Sequence, residues 1–504
     1  MELQPRCEPT ENQKAPTYDE LVQIIIELRT LVKLQAEKIF QLEEENKILK
    51  KKLYGSSSEK NKSQGVNRGG SGSRGSKNAG KPRVRSLAEQ YPNAEIEDQY
   101  VEFKEPPLCL CCHRGMIDSG LEEVTEQVHT IPARHKIIRQ HRRKYKCTGC
   151  FTGLLSAPLA PRIAPGSSLS DSFIIEAAIA KFYNLIPAER YAKMVSQGGL
   201  QDFPPQLVLA AHHYLAEFLK SAHEFFQKQV QLATLLYADE TPHRMLENDG
   251  DRSWYLWSFT GNHLSCYEIH DTRSGSVAID FIAKSECLFL MSDVYSGYIR
   301  TVREVNEVRR KQDLPEIIAL YCNTHSRRKF VEALINFPEE SQYFIDQYKE
   351  IYRLEAELKL ITDPKSRSKK RAEMKPFFEL MLSTGKQLRA HYSDKSGLVA
   401  AIDYYTNNYE GLTRFLENPD LPIDNNLSER QLRSHVIGRK TWYGTHSDRG
   451  VETTEILFTL MQSCKHLKVN PRDYLIALVK TMLVANPPFT PSQYLATLRD
   501  GKAA

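Results

Sequence analysis

The sequence predicts a multidomain α+β protein: an N-terminal coiled coil, a zinc-binding module, a helical region, and a mixed sheet flanked by helices. Three observations predict it. Apolar residues recur every seven positions near the N-terminus. Two Cys-x-x-Cys pairs follow. In the second half, strand-length apolar runs stop at aspartates. At 504 residues the chain exceeds what one core accommodates.

Residues 18–54 carry the heptads. Leu21, Leu28, Gln35, Leu42 and Leu49 form one set, and Ile25, Val32, Ile39, Asn46 and Leu53 the other. β-Branched residues at a, leucine at d and one asparagine at a suit a parallel two-stranded coil, hence a homo-oligomer. The competing reading is an amphipathic helix packed on its own domain. Residues 55–86 are rich in Gly and Ser and basic, a composition that favours a flexible tether.

A zinc-binding module is expected over residues 87–165. Cys109 and Cys112 form one knuckle, Cys147 and Cys150 the other. Four thiolates make a closed tetrahedral site for structural Zn2+, which stands in for a core. Cys111 and His113 lie beside the first knuckle, and buried or redox cysteines are the alternative. Arg139, Arg142, Arg143, Lys144 and Lys146 precede the second knuckle and suit contacts to DNA phosphates. A solvated strand is the plainer account of them. Residues 166–230 read as helices, beginning at a Ser/Asp cap, with a glycine turn compatible with a helix-turn-helix or an ordinary bundle.

The core opens at residue 231. "ATLLYADETPHR" is expected to be a strand stopping at Asp239. "RSWYLWSFTG" and "LSCYEIHDT" read as antiparallel strands, and "CLFLMSDVYSGY" as a buried strand stopping at Asp293. "IIALYCNTH" is one more. This order suits a mixed sheet with the first strand central. A carboxylate at the end of a buried strand is costly unless paired or bound to metal. Two such strand ends side by side, joined by Glu429 on the helix of "DNNLSERQLR", would hold Mg2+ or Mn2+. On that helix Asn425, Glu429 and Arg433 share one face. Plainer readings stand beside this one. Asp239 and Asp293 suit turns, and Asn426 with Glu429 fits a capping box.

The blocks "YADETP", "SDVYSGY", "CNTHSRRKF", "DNNLSER" and "GRKTWYG", with "KLYGSSSEK" and the paired Cys-x-x-Cys, resemble the signature of the insertion-sequence family 66 transposases of bacteria. The resemblance runs in order over roughly residues 18–490. It implies a ribonuclease-H-like core in two parts, 231–330 and 421–490, interrupted by a helical insertion at 331–420. It also implies a catalytic triad of Asp239, Asp293 and Glu429, DNA as substrate at element ends and target, and accessory proteins encoded by the element. Two positions depart from the family pattern: Asn323 stands where a tryptophan follows the cysteine, and His243 where an aromatic follows "DETP".

On this reading Arg327, Arg328, Lys329, Arg433, Arg439 and Lys440 are candidates for holding the scissile strand, or else a surface patch. The alternatives are a non-catalytic DNA-binding regulator and a nuclease that cuts without joining. The net charge of +5 is mild for this length, no apolar stretch is long enough to span a membrane, and no secretory signal opens the chain. A cytoplasmic, nucleoid-associated protein is expected.

Overall fold

The computed structural model describes residues 86–91, 94–100, 107, 111, 113–116, 124–148, 154–247 and 253–500. The heptad segment and the basic tether as far as residue 85 lie outside these residues, as do Cys109, Cys112 and Cys150. The chain divides into two units, 1–128 and 129–504. In the first, the short helix α1 (Leu87–Gln90) is closed by a capping box between Ser86 and Glu89.

The second unit begins with a two-stranded antiparallel ribbon, β1 (Lys144–Lys146) and β2 (Leu154–Ser156). Four helices follow: α2 (Asp171–Phe182), α3 (Ala188–Gln197), α4 (Pro205–Phe218) and α5 (Lys220–Gln231). The expected Ser cap is present, since Ser170 Oγ accepts from Phe173 N. Gly199, at φ +113°, makes the turn after α3 in a conformation that favours glycine.

The sheet contains β3 (Leu235–His243), β4 (Trp254–Gly261), β5 (Leu264–His270), β6 (Phe289–Ser292) and β7 (Ile318–Tyr321). Its order is β5-β4-β3-β6-β7, antiparallel through the first three strands and parallel through the last three. The first strand is central, as the order of runs predicts. It differs in length: β3 does not stop at Asp239 but pairs with β4 as far as His243 opposite Trp254. The "DETP" segment is therefore strand, because β4 extends alongside it and takes up its backbone groups.

Helices α6 (Gly275–Ile282) and α7 (Ser296–Lys311) cover one face of the sheet. Phe259 of β4 stacks on Phe281 of α6 at 4.0 Å, and Trp257 meets Tyr298 of α7 edge-on at 5.9 Å. After β7 come α8 (Asn323–Ala333), α9 (Pro338–Leu358), α10 (Pro364–Arg389), α11 (Gly397–Asn407), α12 (Tyr409–Thr413) and a 3-10 turn (Arg414–Glu417). These helices have a core of their own, with Phe330, Phe344, Tyr348, Phe378 and Tyr405 fully buried. It continues onto the sheet through Met291, Leu320 and Cys322. The chain then returns through α13 (Asn426–Trp442), α14 (Asp448–His466), α15 (Pro471–Leu483) and α16 (Pro491–Arg499). Helices α13 and α14 pack on the other face of β3, β4 and β5, where Tyr267 donates its hydroxyl to Gln431 O and its amide to Thr459 Oγ1.

Candidate active site

The parallel register pairs Tyr237 of β3 with Met291 of β6, and Ser292 with Tyr321 of β7. Asp239 and Asp293 each lie two residues beyond the first pair. Asp293 and Cys322 each lie one beyond the second. Three neighbouring strands thus deliver Asp239, Asp293 and Cys322 to one edge of the sheet, because parallel strands carry equal offsets to equal heights.

Glu429 arrives from α13. Asn425, fully buried just before this helix, donates its side-chain amide to Ala238 O at 2.9 Å and its backbone N–H to Cys322 Sγ at 3.2 Å. The start of the helix is thereby fixed to both β3 and the end of β7. Asp424 accepts from Asn426 N, from Asn426 Nδ2 at 2.6 Å and from the Tyr352 hydroxyl at 3.1 Å, so its carboxylate holds the turn. The capping box is not formed, since no side chain caps this helix and Glu429 Oε1 is enclosed without a hydrogen-bond partner. The common face is also only partial: Asn425 is buried and Arg433 exposed, because the helix tilts its start into the sheet.

The electrostatics tie the three carboxylates together. Burial holds the Asp239 carboxyl well above its usual range, and the negative charges of Glu240, Asp293 and Glu429 add to the shift. Among the described residues, Asp239 Oδ1 accepts only from Glu240 N, and no cation pairs with Asp239 or Asp293. The turn reading of Asp293 holds as well, for Oδ1 accepts from Tyr295 N at 3.1 Å. Glu240 is different. Strand alternation sends it to the opposite face, where Tyr298 donates to it at 2.6 Å and Arg273 pairs with it at 2.7 Å. Of the two adjacent acids, one is neutralised and the other is left facing like charge.

Cys322 and His325 also reach this edge. The donor atoms of Cys322, His325 and Glu429 lie within 4.8 Å of one another, and His325 Nδ1 is 3.8 Å from Glu429 Oε1. Burial pushes the Cys322 thiol up to about 12. Asn323, where the resemblance expects tryptophan, is fully buried and donates Nδ2 to Leu412 O and Ile423 O, at 2.9 and 3.1 Å. It links β7 to the chain returning from the helical segment. His243, the second departure, bonds His435 at 3.1 Å and Thr445 Oγ1 at 2.8 Å, and burial drives its pKa to about 4. The roles of Asn425, Asn323 and Asp424 were not apparent from sequence. The signal for Asp424 and Asn425 is the polar run "DNN" after an apolar segment, and for Asn323 only its place after Cys322 in "CNTH".

A second basic feature lies further along β3 and α13. A cavity of about 440 Å3 is lined by Pro242, His243, Arg244, Arg439, Lys440 and Tyr443. Arg439 donates to Pro242 O, so α13 is joined to β3 at this end too. Gly444, at φ +159°, lets the chain pass against Arg244, whose carbonyl would meet any added Cβ. The other basic candidates are placed apart. Arg139, Arg142, Arg143, Lys144 and Lys146 are all exposed on or before β1, with Arg142 Nε bonded to Ala157 O. Arg327 is half-buried on α8, where Arg328 and Lys329 are exposed. Cys147 is exposed. Among the described residues, no helix is long and apolar enough to cross a membrane.

Comparison with known proteins places the chain in a family. The uncharacterized proteins y4hP and y4qI of Sinorhizobium fredii (strain NBRC 101917 / NGR234) are similar to the chain. The first is 23% identical over 416 residues, 78% of this chain and 73% of the relative. The second is 27% identical over 418 residues, 79% and 74%. The pattern of the Transposase IS66 family matches residues 166–453, more than half the sequence and the whole span from α2 to the first turns of α14. The chain belongs to the IS66 family of transposases.

Proposed function

We propose that this transposase cuts DNA at the ends of an insertion sequence and joins them to target DNA, using divalent cations held by Asp239, Asp293 and Glu429 on a ribonuclease-H-like core. One observation carries the reading: the carboxyl of Asp239 on the central strand is held well above its usual range by burial and by the charges of Glu240, Asp293 and Glu429, and among the described residues no cation pairs with it. The residues fit Mg2+ or Mn2+, since all three donors are hard oxygens and Glu429 Oε1 is enclosed and unpartnered. Bound there, such ions supply Lewis-acid activation of the attacking oxygen and neutralise charge on the phosphodiester. The protein's own part is placement. The parallel register sets the two aspartates, and Asn425 holds the helix that carries Glu429. Arg273 pairs with Glu240 and Tyr298 donates to it on the opposite face of β3, so of the two adjacent acids Asp239 is the one that, among the described residues, has no cation beside it.

Arg433, Arg439, Lys440, Arg327, Arg328 and Lys329 would hold phosphates of the reacting strand. The exposed set Arg139, Arg142, Arg143, Lys144 and Lys146 would bind DNA outside the cleft. Structural Zn2+ on Cys109, Cys112, Cys147 and Cys150, pairing of chains through residues 18–54, and accessory proteins encoded by the element belong to the same proposal. The test is an excision-and-insertion assay using the native flanking DNA around a marker, comparing wild type with Glu429→Gln. The expected result is insertion by wild type, none by the variant, and equal DNA binding. Equal insertion by both overturns the assignment of Glu429. Cut but unjoined ends from the wild type would instead show a nuclease.

A further inference from the structure

We propose that Cys322, His325 and Glu429 together bind one zinc-class divalent ion, a site distinct in chemistry from the carboxylate set although it shares Glu429 with it. The proposal goes beyond strand transfer, because the site consists of sulfur, nitrogen and oxygen donors and does not depend on what the two aspartates do.

The geometry points to an ion rather than a hydrogen bond. His325 Nδ1 and Glu429 Oε1 are both enclosed and, among the described residues, have no hydrogen-bond partner. They face each other at 3.8 Å, too far for a hydrogen bond. Two buried polar atoms left this way are costly. Zinc bonds of about 2.0–2.2 Å to nitrogen and oxygen and about 2.3 Å to sulfur put tetrahedral nitrogen and oxygen ligands roughly 3.3–3.6 Å apart, with sulfur about 3.5–3.7 Å from either. The 3.8 Å between His325 Nδ1 and Glu429 Oε1 is a few tenths of an ångström longer, and the Cys322 sulfur lies within 4.8 Å of both other donors, so small side-chain rotations bring the three to an ion.

The local fold supplies the arrangement. Cys322 immediately precedes α8, and His325 is the third residue of that helix, so both side chains meet at its first turn. Glu429 comes from the first turn of α13. The Asn425 N–H bonded to Cys322 Sγ locks the two helix starts together. That N–H and the positive end of α8 both favour a thiolate over a thiol once an ion is present. Mg2+ is excluded by the donors, as thiolate and imidazole select zinc-class ions over hard ones. Three protein ligands leave a fourth position, which in zinc proteins takes water or an oxygen of the substrate. Here the class of ligand is an oxygen of a DNA phosphate or of water.

The experiment is Co2+ titration of metal-stripped full-length protein, followed by visible absorption and the thiolate-to-cobalt charge-transfer band. Wild type is compared with Cys322→Ser, His325→Gln and Asp293→Asn. The expected result is one Co2+ equivalent fewer in Cys322→Ser, with a weaker charge-transfer band. His325→Gln should bind that equivalent at least tenfold more weakly, and Asp293→Asn should bind it as wild type does. Excess Mg2+ should not displace it. Unchanged stoichiometry and band in both Cys322→Ser and His325→Gln overturn the proposal. If Cys322→Ser fails to fold by circular dichroism, His325→Gln decides alone. Loss of insertion in Asp293→Asn with the Co2+ site intact separates this inference from the strand-transfer reading.

Discussion

Asn425 donates its side-chain amide to the carbonyl of Ala238, one residue before Asp239, at 2.9 Å. This bond connects the helix that carries Glu429 to the strand that carries the first aspartate, across 187 residues of sequence. Its donor cannot be replaced by an acceptor. Asn425→Ala should cost about 1–3 kcal/mol, the usual penalty for leaving a buried carbonyl unpaired. Asn425→Asp should cost more, because it places a carboxylate against a carbonyl oxygen beside Asp239. Urea denaturation midpoints test the order. An Ala variant less stable than the Asp variant would show that lost volume outweighs the charge placed beside Asp239.

Asp239 gives a prediction with a defined sign. Its folded carboxyl titrates above its ordinary value of 3.8 because of burial and three neighbouring negative charges. Between those two values the folded state binds more protons than the unfolded one, so stability declines as pH rises through that window. The metal-free protein should therefore be more stable as Asp239→Asn than as wild type at neutral pH. Mg2+ or Mn2+ should raise the melting temperature of wild type and leave the variant almost unmoved. Strand transfer should fall at least ~100-fold, the scale on which electrostatic groups of active sites act. An equal thermal response of both proteins to the cation would remove Asp239 from the ligand set.

Glu240, the adjacent acid, should behave in the opposite way. Its side chain is 3% exposed and depends on Arg273, which is itself 47% exposed. Glu240→Gln should keep most of the activity, since its amide oxygen still accepts from Arg273 while its NH2 group takes the place of Oε2 and donates to a turned Tyr298 hydroxyl. Arg273→Gln should destabilise by on the order of 1–2 kcal/mol, less than a fully buried pair because water reaches the guanidinium. The double substitution should recover most of that loss, and a double-mutant cycle measures the coupling.

The sheet was legible because its strands announce themselves. β-Branched and aromatic runs, broken by "GNH" between β4 and β5, indicate a hairpin, and the order of runs places β3 centrally. The ends were less legible. Whether β3 stops at Asp239 depends on β4 lying beside "ETPH", which is a tertiary fact. Asp293 does follow a strand end, whereas Asp239 lies inside a strand that continues to His243, and Glu429 was singled out by its helix and the family blocks. Which neighbour neutralises Glu240 could not be named, because Arg273 and Tyr298 lie 33 and 58 residues away. The role of Asn425 was hidden for the same reason, since its partner is a backbone carbonyl with no side-chain signature.

The cavity beside Arg439 tests the phosphate-holding role. Four residues of strand separate Asp239 from His243, about 13 Å. Ten residues of helix separate Glu429 from Arg439, about 15 Å. At about 3.4 Å per nucleotide along a strand, a DNA strand running from the carboxylates toward Arg439 would meet the cavity about four nucleotide steps away. Arg439 is tied to Pro242 O, so its removal would also loosen α13. Lys440 is exposed and, among the described residues, forms no ion pair. Lys440→Ala should weaken DNA binding uniformly across sequences and lower the slope of log K against log salt by about 1. An unchanged slope would place the DNA elsewhere.

Glu455 of α14 lies away from the cleft, and its titration bears on stability alone. Burial raises its carboxyl from 4.5 to about 7, although its Oε1 accepts from Ile269 N at 2.6 Å. Below pH 4.5 the group is protonated in both folded and unfolded chains and exerts no pH effect. Between 4.5 and about 7 the unfolded chain ionises first, so the folded state holds the extra proton and stability falls as pH rises. Above about 7 both states are ionised and the loss is complete, on the order of 2 kcal/mol at a site that water partly reaches. Glu455→Gln keeps the acceptor for Ile269 N and removes the titration. It should flatten this part of the stability curve and raise the melting temperature at pH 8 more than at pH 5. An equal shift at both pH values would mean that the carboxyl ionises without penalty, and that the bond to Ile269 N outweighs the cost of burial.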